Sequence, residues 1–116
     1  MQDESPIQVL RRYRSPIVSD ALERFGARAR TVDYTDATIK SILPALGAFV
    51  GYACTGKVMA ETPDEPRSAK VSWPDVWRYV QAQPKPSLMV CQDLDQPAGR
   101  GCAWGDVSAA TFTRLG

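Results

Sequence analysis

SLMVCQDLDQPAGRGCAWGDVSAATFTRLG, residues 87–116, is the stretch whose reading decides the fold class. Ser87 to Cys91 is a short apolar run that suits an interior strand. Gln92, Asp93 and Asp95 follow it, and the loop QPAGRGCAWG, residues 96–105, leads into a helix expected from about Asp106 to Leu115, with Gly116 as its stop signal. A strand followed by a helix is normally two-thirds of a right-handed βαβ unit, in which the returning strand gives the helix's apolar face a sheet to cover. The residues leave two options open. Either Gly116 is the terminus and the helix docks on earlier strands, or residues 1–116 are the front part of a larger domain.

Working back from this stretch, the same alternation of strand and helix recurs, and the reading is α/β. Ser72 can cap a helix in which Asp75 takes the capping-box position and Trp73, Val76, Trp77 and Val80 recur at helical spacing. Pro84 and Pro86 bound it. A packed face explains the tryptophans better than a base-stacking platform, because no basic patch accompanies them. ETPDEPRSAK, residues 61–70, reads as a polar loop, and Phe49 to Met59 as a strand. Gly51 and Gly56 within that strand point to a bend or to a close approach of backbone. Thr38 to Leu43 reads as a weaker strand before Pro44. Further back, Ser15 as cap and Pro16 in the first turn open a helix ended by Gly26. Ile17, Val18, Ala21, Leu22 and Phe25 share one of its faces, so Leu22→Asp is expected to cripple packing. Residues 1–14 read as an N-terminal extension or first helix, and residues 15–116 as part of a single domain.

Composition narrows the classes of function. There are 14 Lys and Arg against 13 Asp and Glu, so no overall field draws the chain to nucleic acid or an anionic membrane. The opening MQDESP is polar and acidic where a secretory signal needs a basic start and an apolar segment, and no apolar run is long enough to span a bilayer. A cytoplasmic location is the expectation. Cys54, Cys91 and Cys102 are an odd, widely spaced set that suits free thiols in a reducing compartment. With no His in the chain, His-based triads, proton relays and metal ligation are excluded for these residues.

The strongest candidate for chemistry is Asp93 to Ser108. Ligands of open α/β sheets collect beyond the carboxyl ends of strands, where Asp93 and Asp95 fall. Gly105, Asp106, Val107 and Ser108 start a helix, whose N–H groups and dipole favour a carboxylate or phosphate, and Arg100 can add a positive charge. The competing reading makes Asp106 a helix cap, Asp93 and Asp95 the fasteners of a turn, and Arg100 a solvated side chain. Carboxylates here suit a hard divalent ion, but the DLDQP turn lacks the ligand pattern of a known calcium loop. No P-loop, dinucleotide fingerprint, GxSxG elbow or HExxH sequence occurs.

SPIVSDALERFG at 15–26, FVGYACTGKV at 49–58 and LMVCQDLDQPAGRGCAWGDVSAATFTRLG at 88–116, in that order, resemble the front portion of the RraA-like family. That family contains metal-dependent 4-hydroxy-4-methyl-2-oxoglutarate aldolases, related aldolases with oxaloacetate decarboxylase activity, and regulators of ribonuclease E. The resemblance implies a swivelling β/β/α fold, incomplete at its C-terminal side within residues 1–116, and assembly into homotrimers or hexamers. It implies that the backbone N–H groups of Gly105, Asp106, Val107 and Ser108 hold the pyruvyl end of a small 2-oxo acid. Asp106 stands where Glu is usual, and Val107 and Ser108 where Leu-Leu is usual. Magnesium or manganese is implied as cofactor, anchored by an Arg–Asp strand that the family carries next and that residues 1–116 do not contain, so no metal ligand or catalytic side chain is assigned here. The alternatives are a non-catalytic regulator that binds a ribonuclease, or an inactive fragment.

Overall fold

The computed structural model describes residues 4–32, 34–60 and 71–116, and shows a mixed α/β chain in two compact units, residues 1–50 and 51–116. The loop expected at 61–70 and the start of the opening MQDESP lie outside the described residues.

In the first unit, α1 (Pro6–Leu10) begins with a full capping box. The Ser5 hydroxyl accepts from Gln8 N–H, and the Gln8 side chain accepts from Ser5 N–H at 3.0 Å, satisfying donors that a helix start leaves unpaired. The next helix, α2 (Ser15–Arg24), starts one residue earlier than expected. Arg14 is its N-cap and makes no side-chain cap, while Ser15 is already helical. At the other end Gly26 takes a positive φ of 61° and its N–H donates to the Glu23 carbonyl, so glycine ends the helix as expected.

Two expectations for this unit fail. The apolar face of α2 is not buried: Ile17 is 53% exposed, Leu22 50% and Phe25 81%. The strand expected at 38–43 is absent, because Asp36 folds the chain there. Its carboxylate accepts from both the N–H and the hydroxyl of Thr38, a side-chain-driven turn that competes with extended pairing. A short 3₁₀ turn follows at Pro44–Leu46.

The second unit holds the paired strands. β1 (Tyr52–Val58) and β2 (Ser87–Asp93) run parallel, from Tyr52 beside Ser87 to Val58 beside Asp93. Parallel neighbours need a crossover, and α3 (Trp73–Ala82) lies within it. Its cap is as expected: the Ser72 hydroxyl accepts from Asp75 N–H at 3.3 Å and donates to the Asp75 carboxylate. Gly51 is where the backbones close up, since a Cβ there would lie 3.0 Å from the Pro86 carbonyl oxygen; this is the close approach that a glycine beside a strand signals.

Alternation along the strands sends Cys54, Gly56, Val58, Met89 and Cys91 to the covered face, while Ala53, Thr55, Lys57, Leu88, Val90 and Gln92 stay exposed. Cys54 and Val80 are the buried apolar residues among those described, and Asp95 is buried with them. α4 (Asp106–Leu115) meets α3, and the chain closes back on β2 where Ser87 donates its N–H and its hydroxyl to the Gly116 carbonyl, at 2.7 and 2.9 Å.

Candidate functional site

The second unit puts Asp93 at the carboxyl end of β2 and Asp95 two residues beyond it, as their sequence positions require. The ladder continues one step past the strands, with Leu94 N–H donating to the Val58 carbonyl at 2.9 Å. Asp93 then turns the chain. One carboxylate oxygen accepts from Asp95 N–H at 2.9 Å and the other from Gly99 N–H at 2.6 Å. Those two amide bonds, the Asp95 bond the larger, hold the Asp93 carboxyl below its ordinary value.

Asp95 does something the sequence does not announce. It is 2% exposed, and its carboxylate accepts from the N–H of Ala60, thirty-five residues away, at 2.9 Å to one oxygen and 3.2 Å to the other. Burying a carboxylate is costly unless hydrogen bonds replace its water. This one ties the chain just past β1 to the chain just past β2. The loop then doubles back: a Cβ on Gly101 would lie 2.1 Å from the Ala60 Cβ, so no larger residue fits there without movement. The motif DLD after a strand hinted at a turn, but nothing in the sequence pairs residue 95 with residue 60.

From Gly101 the chain leads into α4. The Ser108 hydroxyl donates to the Ala103 carbonyl at 3.4 Å, Ala109 N–H donates to the Gly105 carbonyl at 2.9 Å, and the Trp104 and Phe112 rings meet edge-on at 5.5 Å. Gly105 is the N-cap, in extended conformation and without a side-chain cap. The structure thus places Gly105, Asp106, Val107 and Ser108 together at a helix start. The Asp106 carboxylate accepts from Val107 N–H at 2.8 Å, a favourable place for a negative charge and one that an anionic ligand would contest.

The donor set for a metal is a different matter. Among the described residues no three His, Cys, Asp or Glu side chains gather to hold an ion. The Asp93 and Asp95 carboxylates are turned onto backbone N–H groups. These residues do not make a cation cage by themselves. Burial pushes the Cys91 thiol up in pKa, away from the thiolate a nucleophile or soft-metal ligand needs.

The first unit has its own cavity, which sequence reasoning missed. It is a cleft of about 490 Å³ whose walls include Leu10, Tyr13, Val18, Leu22, Tyr34 and Phe49. Of the α2 residues expected in a core, Val18 and Leu22 therefore stand in the wall of an open cleft. The Arg30 guanidinium, 2.8 Å from the Glu23 carboxylate, lies on its lining.

No helix of the described residues is long and apolar enough to cross a membrane. No family model matches the chain, and neither the curated proteins nor the solved structures contain a match to it.

Proposed function

We propose that residues 93–108 are the carboxylate-holding half of a lyase site that cleaves 4-hydroxy-4-methyl-2-oxoglutarate-type 2-oxo acids to pyruvate, with oxaloacetate decarboxylation as a related activity, in a protein of RraA-like swivelling β/β/α fold. The observation that carries the reading is the run from the carboxyl end of a parallel strand, through a tightly tied loop, to the start of α4, where the N-cap Gly105 has no side chain to offer and Asp106 covers the Val107 N–H. That is the position where open α/β sheets take ligands.

In this reading, N–H groups of the first turn of α4 donate charge-assisted hydrogen bonds to the substrate carboxylate, aided by the helix dipole. Magnesium or manganese would supply Lewis acidity to the complete site. The residues described here do not hold that ion, and the resemblance assigns its anchor to a strand outside residues 1–116. The work of this chain is to fix the carboxylate and its orientation, which favours reaction by positioning. The assembly implied by the resemblance is a homotrimer or hexamer.

The test is pyruvate release from 4-hydroxy-4-methyl-2-oxoglutarate by the purified protein with its complete coding frame, read through past codon 116. Release that requires magnesium or manganese and stops with a chelator supports the reading. A frame supplying the Arg–Asp strand but giving no metal-dependent release overturns it and favours the ribonuclease-binding regulator.

A further inference from the structure

The buried Asp95 carboxylate is the best-placed group that this reading leaves unused. It lies past the ends of both strands, holds Ala60 N–H with both oxygens, and sits 3.5 Å from where a Gly101 side chain would begin. Gly101 rests on the same Ala60, and four residues further on Gly105 caps α4. Only Cys102, Ala103 and Trp104 separate Gly101 from Gly105, so a displacement at Gly101 is passed toward the helix start. Asp93, by contrast, ties the loop only to itself, through Asp95 and Gly99 N–H.

We infer that Asp95 is a positioning residue: with Ala60 and Gly101 it forms a clamp that sets where the first turn of α4, and hence any carboxylate held there, stands relative to the ends of β1 and β2. The inference rests on the proposed role of residues 105–108 for its link to substrate, but the clamp itself is testable without ligand. Asp95→Asn keeps an acceptor for Ala60 N–H, whereas Asp95→Ala removes it. Gly101→Ala forces the loop off Ala60 while meeting the Asp95 carboxylate only at ordinary van der Waals distance, and Ala60→Gly removes the atom it would strike.

The experiment is backbone amide exchange on the full chain, read at Ala60, Gly99 and Ala109, whose N–H groups donate to Asp95, Asp93 and the Gly105 carbonyl, followed by titration with pyruvate. Asp95→Ala and Gly101→Ala should each speed exchange at Ala109, the first amide of α4 that donates within the helix, by about tenfold or more while the helix content of α3 and α4 holds. Asp95→Asn should stay within about threefold of wild type, and adding Ala60→Gly to Gly101→Ala should restore it. Exchange at Ala109 unchanged in both Asp95→Ala and Gly101→Ala overturns the clamp, as does a failure of Ala60→Gly to rescue. Should Asp95→Ala unfold, the Gly101 and Ala60 pair carries the test alone. Wild-type chain that ignores pyruvate refutes the carboxylate-holding role and leaves the exchange result, and so the clamp, standing on its own.

Discussion

The two units of this chain use similar helical sequences to different ends. In residues 4–50, α2 carries an apolar stripe at the same helical spacing as α3, though a weaker one, and none of its residues is buried. In residues 51–116, α3 meets α4 and buries Val80 to 3% exposure, while Trp73 and Trp77 of the same helix, expected in a packed face, stay 51% and 37% exposed. Amphipathic spacing makes a helix able to bury a face; only a partner element does the burying.

A matched pair of substitutions breaks or upholds that contrast most directly. Val80→Asp should cost about 3 kcal/mol or more, since it strands a charge in a closed site, and should lower the denaturant midpoint accordingly. Leu22→Asp, which the sequence alone marks as crippling, should cost about 1 kcal/mol or less, because half of that side chain already meets water. Equal losses would mean that α2 is buried in solution.

Next in size is Gly101→Ala, expected to cost about 1–3 kcal/mol through the collision with Ala60. Gly26→Ala, in the first unit, meets no atoms and is limited to the strain of its positive φ, about 1 kcal/mol. Urea denaturation of the two variants separates a packed glycine from a merely left-handed one.

The helix starts give a smaller effect of opposite sign in the two units. Ser72→Ala should lose about 1 kcal/mol, because the Asp75 N–H then loses its side-chain acceptor. Arg14→Asp supplies the cap that α2 lacks and should gain up to about 1 kcal/mol. Thermal melts followed by far-ultraviolet circular dichroism report both.

The smallest effect is acid sensitivity. Asp93 is held low by the N–H groups of Asp95 and Gly99, and Asp36 by the hydroxyl and then the N–H of Thr38. Because both folded values lie below the ordinary 3.8, each turn is supported above that pH and loses its support as pH falls through the lowered value. Amide chemical shifts of Gly99 and Thr38 should therefore titrate below 3.8, and Asp93→Asn should abolish the Gly99 transition alone. A Gly99 transition that survives in Asp93→Asn would assign it to another group.

By itself the sequence determined what is local. Ser72 and Asp75 announced the start of α3, Pro84 its end, and the run from Asp106 to Leu115 all of α4, because capping and 3.6-residue spacing act within a few residues. It also brought Gly105, Asp106, Val107 and Ser108 together, since four consecutive residues at a helix start need no tertiary help. The strand read at 38–43 was lost to the Asp36 carboxylate, a turn-making preference that outweighed the β-branched residues around it.

Tertiary structure alone decided which apolar faces are covered, that β1 and β2 pair in parallel with Tyr52 beside Ser87, and that Asp95 closes on Ala60. The last two join residues thirty-five apart in the chain. At that separation no periodicity links the partners, and the burial that makes the contact favourable exists only once the strands have met.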